Sequence, residues 1–341
     1  MREQKTAGQP LLEVRDLAVE FPSASGGWTP VVQGVSFTLD QGESVALVGE
    51  SGSGKTVTSL AVMGLTGVTG GRVAGGSVRF DGRELTALPE REWRRLRGPG
   101  MGMIFQQPTR SLNPAYTVGD QIAESVRRHL GLGRRAAWAR AVEMLDLVQI
   151  PRAAERVHDY PHSFSGGMCQ RVMIAMVMAC NPRLLIADEP TTALDVTVQE
   201  RILQLLRDLQ EQTGVSLLFV SHDLAVVAEL CQRVVVMYAG EVVEQGTAAD
   251  VYFRPRHPYT AGLLASIPKP GLRAGRRLTA IPGSIPAPGS WPSGCRFHVR
   301  CPHRDPGRCD LRHPEIVPVG PSAQARCVRA DEIELSGVTV G

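Results

Sequence analysis

The segment GESGSGKT, residues 49–56, constrains the fold more than any other part of the chain. It fits the pattern of a phosphate-binding P-loop, in which four arbitrary residues separate a glycine from Gly-Lys-Ser/Thr. Residues 44–48 before it read as a buried strand, and the residues after Thr56 have helical spacing. Strand, glycine loop and helix are the context that such a loop needs, so the sequence predicts a site for a nucleoside triphosphate.

The residue types in this loop suit a triphosphate. Glycines let the backbone turn tightly and point its N–H groups at phosphate oxygens. Lys55 would reach the β- and γ-phosphates, and Thr56 would offer its hydroxyl to Mg²⁺. The candidate ATP ligands are Gly49, Glu50, Ser51, Gly52, Ser53, Gly54, Lys55 and Thr56.

A second candidate site is the segment LLIADEP, residues 184–190. Four apolar residues followed by two acids predict a buried strand that ends in carboxylates. Asp188 would hold Mg²⁺ through water, and Glu189 would polarise the water that attacks the γ-phosphate. The alternative is an ordinary strand end with solvated acids.

The third segment is HSFSGGMCQR, residues 162–171. A Ser-Gly-Gly turn that enters a helix at Met168 predicts a second phosphate-binding helix terminus. One nucleotide does not need two such termini from one chain, so Ser165, Gly166 and Gly167 would serve a nucleotide held by another chain. The alternative is a helix N-cap without a ligand.

The order of strands and helices predicts an α/β fold. Buried strands are expected at 184–187 and 216–220, with a helix at 196–212 between them. This alternation indicates a largely parallel sheet covered on both faces. Residues 108–180 read as mostly helical, and from about residue 251 proline and glycine become frequent. We found no internal repeat, so the sequence predicts one nucleotide-binding unit.

The composition limits where the protein can act. The formal net charge of the 341 residues is +3, which is too small to indicate a nucleic-acid partner. No apolar run approaches the roughly 18–20 residues that span a bilayer, and the N-terminus has no apolar signal-peptide core. We therefore expect a cytosolic protein whose contact with a membrane is peripheral.

Four cysteines near the end form a separate cluster, C-x5-C-x7-C-x17-C: Cys295, Cys301, Cys309 and Cys327. Four thiolates suit either Zn²⁺ or a [4Fe–4S] cluster. His298, His303 and His313 lie nearby and could complete a zinc site. The alternative is four reduced cysteines that bind no metal.

Taken in order, these motifs resemble the ATP-binding subunit of an ABC transporter. The order is the P-loop, FQQP at 105–108, FSGGM at 164–168, LLIADEP, ALD at 193–195, and His222 in FVSHD. The resemblance implies a P-loop NTPase of RecA-like α/β fold, with an ABC nucleotide-binding domain at 1–250. It places a helical subdomain at about 108–180 and a small cysteine-containing, Pro/Gly-rich extension at 251–341.

The resemblance also implies roles for single residues. Gln106 resembles the Q-loop glutamine that senses Mg²⁺ and the γ-phosphate, Asp195 the D-loop aspartate at the dimer interface, and His222 the switch histidine that contacts the γ-phosphate. The implied Mg²⁺ ligands are Thr56, Gln106 and Asp188.

The adenine partner is less defined by the resemblance. Phe21 is the preferred aromatic, and Trp28 is its rival. Four residues depart from the usual family pattern: Gln107, Phe164, Met168 and Cys169. None of them removes a phosphate ligand or the catalytic carboxylate.

Longer segments resemble the oligopeptide and dipeptide importers in particular: residues 104–114, 160–175, 257–268 and 293–302. That resemblance implies an ATPase that powers import, with two permease subunits and an extracytoplasmic solute-binding protein. A second, related but non-identical ATPase subunit is expected, at the cytoplasmic face of the membrane. It favours a [4Fe–4S] cluster over Zn²⁺ on the four cysteines. The alternatives are the ATPase of a nickel importer and a soluble ABC ATPase acting on nucleic acid.

Overall fold

The computed structural model describes residues 8–107, 111–192, 194–267 and 281–338. The chain divides into two compact units, one of residues 1–40, 44–86 and 221–341, the other of residues 41–43 and 87–220. The sequence predicts a boundary between residues 250 and 251, which does not coincide with the division into these two units. That boundary stays a prediction. Pro108 and Ala193 of the predicted motifs lie outside the described residues, as do residues 268–280.

The first unit begins with an antiparallel sheet and the strand that leads to the P-loop. Its elements are β1 (Leu12–Pro22), β2 (Trp28–Leu39), β3 (Ser44–Val48), α1 (Lys55–Val62), β4 (Arg72–Phe80) and β5 (Arg83–Glu84). Four of these strands pair in the order β2-β1-β4-β5. β2 is an edge strand of this sheet, and β1 continues past a bulge at Asp16.

The second unit is an α/β arrangement. Its elements are α2 (Glu90–Leu96), β6 (Met101–Ile104), α3 (Val118–Leu130), α4 (Arg134–Leu147), α5 (Ala153–Arg156), α6 (Gly166–Met178), β7 (Leu184–Asp188), α7 (Val196–Thr213) and β8 (Ser216–Ser221). The three strands run parallel in the order β8-β7-β6. All their residues are buried, which explains their continuous apolar sequence.

Local signals in the sequence set the ends of the helices in this unit. Thr117 caps α3 by accepting a hydrogen bond from the Asp120 N–H, and Asp195 caps α7 in the same way through Val198. Glycines in the left-handed conformation, Gly131 and Gly214, end both helices.

The chain then returns to the first unit. The remaining elements are α8 (Leu224–Leu230), β9 (Arg233–Tyr238), β10 (Glu241–Thr247), α9 (Ala248–Phe253), α10 (Pro258–Ala265), β11 (Val317–Pro318) and β12 (Gln324–Ala325). β3 pairs in parallel with β9, and β10, β12 and β11 extend this sheet antiparallel. Among residues 281–338 the only regular elements described are the two short strands β11 and β12.

An aromatic core joins these last residues to the rest of the first unit. The ring of Phe297 lies 5.2 Å from that of Tyr238 and 5.4 Å from that of Tyr259, between ring centroids. All three side chains are buried. Rings at such distances gain edge-to-face attraction in addition to the burial of apolar surface.

We expect Phe297→Ala to lower the free energy of unfolding by about 3–5 kcal/mol, because it leaves a cavity in this core. Val299→Ala, two residues away and 58% exposed, is the matched control and should stay within about 0.5 kcal/mol of the unaltered chain. Denaturant unfolding followed by fluorescence measures both. Equal losses in the two variants would contradict the packing described here.

Candidate functional site

The P-loop begins with a turn that only glycine can make. β3 ends at Val48 and the chain turns at Gly49, whose φ is 153°. A Cβ at Gly49 would lie 2.2 Å from the carbonyl oxygen of Met237 on β9. Gly54 then caps α1 in the left-handed conformation, with φ 104°. The glycines that the motif requires therefore let the backbone pass close to β9 and enter the helix.

Lys55 folds back over this loop. Its side chain is buried, and its ammonium group donates to the carbonyl oxygens of Gly49 at 2.8 Å and Glu50 at 3.1 Å. Thr56 is exposed in the first turn of α1. A fixed ammonium group beside a helix N-terminus is a site that favours an anion.

Two aromatic residues near the turn of the first sheet are the candidates for adenine. Phe21 on β1 is half-buried, and a Cβ at Gly71 would lie 2.8 Å from its ring. Trp28 is 42% exposed, and the guanidinium of Arg72 lies 4.1 Å from the centre of its ring. One face of Trp28 is thus covered by Arg72, and the choice of Phe21 stays a prediction.

In the second unit, β7 ends at Asp188 and Glu189 follows it directly, so the two acids lie where the sequence predicted. Asp188 is 3% exposed. Glu189 has a left-handed backbone, with φ 45°, and its N–H donates to the Val220 carbonyl oxygen at 3.0 Å. The strand end therefore holds the Glu189 backbone in an uncommon conformation for a residue other than glycine, asparagine or aspartate.

The structure brings Gln106 to Glu189. The Gln106 amide donates to Glu189 Oε2 at 3.0 Å, and the Thr192 hydroxyl donates to the same oxygen at 2.9 Å. Thr192 is a residue that the sequence reasoning missed; the available signal was a hydroxyl three positions after Glu189. Two donors on one oxygen fix the orientation of the Glu189 carboxylate.

The Ser-Gly-Gly segment forms the start of α6. The Ser165 hydroxyl accepts from the Met168 N–H at 3.4 Å, so the helix begins at Gly166, earlier than the entry predicted at Met168. A Cβ at Gly166 would meet no atom within 4 Å, whereas one at Gly167 would lie 2.5 Å from the Val198 side chain on α7. Within the described part of this chain, packing therefore explains the glycine at 167 but not the one at 166.

Two residues that depart from the family pattern are explained by packing. Cys169 is buried, and burial raises the pKa of its thiol, so it is neutral at physiological pH. Phe164 is covered by the guanidinium of Arg156, 4.3 Å from the centre of its ring. Neither side chain introduces a charge at the start of α6.

His222 and Asp195 are both exposed. His222 directly follows β8, and Asp195 caps α7 through the Val198 N–H at 3.0 Å. Val198 thus lies next to both residues: its N–H donates to Asp195, and its side chain occupies the space that a Cβ at Gly167 would need.

The four clustered cysteines are free thiols that line one cavity, together with His298 and His303. Burial raises the pKa of Cys295 to about 12 and of Cys301 to about 11. Among the described residues, no group of three or more His, Cys, Asp or Glu side chains is arranged to hold a metal ion. His313 does not line the cavity; its Nε2 lies 2.6 Å from a carboxylate oxygen of Glu241.

In the part of the chain that the structure describes, no helix is both long enough and apolar enough to cross a membrane.

Comparison with families of known proteins gives three matches. Residues 32–192 match the family described as ABC transporter. Residues 243–309 match the oligopeptide/dipeptide transporter, C-terminal region. Residues 160–228 also match an AAA domain.

Several relatives are similar over most of their length. The oligopeptide transport ATP-binding protein OppD of Bacillus subtilis is 52% identical over 290 residues, which are 85% of this chain and 81% of OppD. The dipeptide transport ATP-binding protein DppD of the same organism is 46% identical over 333 residues, 96% of this chain and 98% of DppD.

Solved structures share the fold. The ATP-binding cassette MJ0796, in a dimeric structure of a post-hydrolysis state bound to ADP and Pi, aligns with a TM-score of 0.62 at 27% identity, over 70% of this chain and 98% of that one. CbiO1 from Clostridium perfringens, part of the ABC transporter complex CbiONQ, aligns with a TM-score of 0.60 at 25% identity, over 71% of this chain and 90% of that one.

Proposed function

The chain belongs to the ABC transporter ATP-binding subunits of the oligopeptide and dipeptide import family, and we propose that it hydrolyses ATP to power peptide import through a membrane permease. The family establishes the P-loop ABC ATPase fold. The observation that carries the proposal is the similarity to peptide-transport ATPases along nearly the whole chain. An ATPase of a nickel importer is the alternative within the family, and a soluble ATPase acting on nucleic acid is the alternative outside it. No observation on the described residues favours either.

The proposed ATP site assigns binding to the P-loop, residues 49–56. Its backbone N–H groups and Lys55 bind the phosphates, and Phe21 stacks on adenine. Thr56, Asp188 and Gln106 are the residues that would hold Mg²⁺, and the metal would neutralise charge that develops on the phosphates. Hydroxyl, carboxylate and amide oxygens are a donor set that suits this hard cation.

Hydrolysis is assigned to Glu189. Its carboxylate accepts a proton from the attacking water, which makes the water a better nucleophile toward the γ-phosphate. The hydrogen bonds from Gln106 and Thr192 to Oε2 support this role because they orient the carboxylate before the reaction. His222 is the residue proposed to contact the γ-phosphate.

The site is proposed to be completed by a second ATPase subunit. Ser165, Gly166 and Gly167 would bind the nucleotide of the partner, with Asp195 at the interface. The open space at Gly166 supports this, because nothing in the described part of the chain explains the absence of a side chain there. ATP that bridges two subunits favours the closed state, and hydrolysis removes the bridge.

The other partners follow from the family. We propose a related, non-identical second ATPase subunit, two permease subunits and an extracytoplasmic solute-binding protein. The chain would bind the permease at the cytoplasmic face of the membrane, as a peripheral subunit.

The four cysteines are proposed to hold a [4Fe–4S] cluster. Four free thiols around one cavity are a donor set that suits iron–sulfur or zinc. In the described structure the four thiols are not close enough together to ligate one metal centre, so binding would require them to move closer to one another. A metal would also stabilise a segment with little regular structure, and it would favour the thiolates that burial disfavours.

We expect Glu189→Gln to lower turnover by about 10²–10⁴-fold and to leave ATP binding unchanged, because the amide cannot accept the proton. Phosphate release by the assembled transporter and ATP binding by the chain are the two measurements. Glu211→Gln, an exposed position near the end of α7, is the matched control and should keep full turnover. Full turnover in Glu189→Gln would refute the assigned role.

Gly166→Ala tests whether residue 166 acts in the two-subunit site and not in the stability of the single chain. The added methyl group meets no atom within 4 Å in the described part of the chain, so we expect an unchanged midpoint of thermal unfolding and unchanged ATP binding. Turnover of the assembled transporter should fall about tenfold or more, because the methyl group displaces the partner's nucleotide. Gly133→Ala, also in open space at a helix start, should keep its turnover. An active Gly166→Ala transporter would contradict the two-subunit site.

The metal proposal is tested on protein purified without oxygen. About four irons and four sulfides per chain are expected for a [4Fe–4S] cluster. About one zinc per chain would instead indicate the alternative zinc centre. Cys327→Ser should lose the metal, and Cys180→Ser, buried in the second unit, should keep it. Protein with neither metal would refute a metal centre at these cysteines.

A further inference from the structure

The carboxylate of Glu50, the second residue of the P-loop, is held by an arginine from the far end of the chain. Arg300 Nη1 donates to Glu50 Oε2 at 2.9 Å, and Nη2 donates to Oε1 at 3.1 Å. The Arg300 side chain is 5% exposed and that of Glu50 is 27% exposed. Two parallel bonds between a guanidinium and a carboxylate fix direction as well as distance.

Arg300 is itself fixed by its surroundings. Its Nε donates to the Pro282 carbonyl oxygen at 2.8 Å, and Nη2 donates to the Gly283 carbonyl oxygen at 3.3 Å. Nη1 also reaches the Tyr238 hydroxyl at 3.4 Å. A guanidinium with this many acceptors cannot swing away without leaving several of them unpaired, so it is a rigid support for the carboxylate.

A second contact reaches the backbone of the same residue. The Glu50 N–H donates to the Tyr259 hydroxyl at 2.8 Å, and Tyr259 on α10 is fully buried. The side chain and the N–H of Glu50 are therefore both held by residues that follow β10. The Glu50 carbonyl oxygen accepts from Lys55, which links this support to the ammonium group proposed to bind the phosphates.

A third contact supports the other end of the loop. The Ser53 carbonyl oxygen accepts from the Gly240 N–H at 2.9 Å. Gly240 follows Ala239, whose carbonyl oxygen accepts from Arg296 at 2.5 Å. Arg296 also donates to Gln33 and stacks on Trp291, with 3.4 Å between the guanidinium and the ring centre. The turn that contacts Ser53 is thus held by a residue only four positions before Arg300.

We propose that Arg300 is a positioning residue of the ATP site, which holds the P-loop in its binding conformation and neutralises the Glu50 carboxylate close to the triphosphate. Both effects strengthen ATP binding, since an unpaired carboxylate beside the loop would repel an anionic ligand. Tyr259 and Arg296 support the same loop through its backbone. The proposal rests on the assignment of residues 49–56 as the ATP site.

The test is the affinity of the full-length chain for ATP, measured by titration calorimetry. Arg300→Gln should raise the Kd about tenfold or more, because it leaves Glu50 charged and unpaired. Glu50→Gln combined with Arg300→Gln should recover part of the affinity, because it removes the unpaired charge. Arg304→Gln is the matched control: Arg304 also pairs with an acid, Asp310 at 2.9 Å, but is 43% exposed, and its loss should leave the Kd unchanged.

A purely structural role would give a different result. In the assembled transporter, we expect Arg300→Gln to raise KM for ATP and to leave kcat near that of the unaltered complex. Loss of folded protein would instead lower the apparent kcat and leave KM unchanged. If Arg300→Gln does not fold, Arg300→Lys takes its place in the test. It keeps the charge but not the two parallel bonds, so we expect it to bind ATP with an affinity between those of the unaltered chain and a chain without the ion pair.

The proposal is overturned if a folded Arg300→Gln chain, or Arg300→Lys in its place, binds ATP as tightly as the unaltered chain. An equal loss of affinity in Arg304→Gln would overturn it too. An unaltered chain that does not bind ATP would refute the proposed function instead, so the two failures can be told apart.

Discussion

The close approach of Gly49 to β9 is the constraint on which the rest of the nucleotide site depends. A side chain at residue 49 would collide with the Met237 carbonyl oxygen at 2.2 Å, so the loop keeps its path only while this residue is glycine. That path sets where α1 starts and where Lys55 is directed. The path of the loop between β3 and α1 therefore depends on one close backbone approach in the first unit.

In the second unit, side-chain hydrogen bonds orient the carboxylate of Glu189, the residue proposed to activate water. Glu189 lies at the end of a buried parallel strand, but its side chain is oriented by hydrogen bonds from Gln106 and Thr192. Strand ends in such sheets bring residues from distant parts of the sequence together, here across 83 positions. The strand therefore sets where Glu189 lies, and the hydrogen bonds from Gln106 and Thr192 set how its carboxylate is oriented.

The sequence was sufficient for the elements with strong local signals. β3, β7 and β8 were predicted nearly to the residue, because continuous apolar runs bounded by glycine or acids have few other interpretations. β4 was not predicted, because its two glycines weaken the strand pattern. The residues of the candidate site likewise separate into those that belong to sequence motifs and those that do not. The P-loop and the two acids of β7 are sequence motifs, but Thr192, Tyr259 and Arg300 were not found. Arg300 lies 250 positions from Glu50, and no local pattern marks a long-range ion pair.

The contact of Arg300 with Glu50 has a consequence for how this chain can be divided or exchanged. Family boundaries suggest an ABC part that could be cut out or transplanted, because the matching family region ends at residue 192. A chain shortened to such a boundary would lose the Tyr238 and Phe297 ring contact, and it would leave Glu50 without its counter-ion. A chimaera that joins the P-loop of one relative to the tail of another would keep this ion pair only if Glu50 and Arg300 are exchanged together.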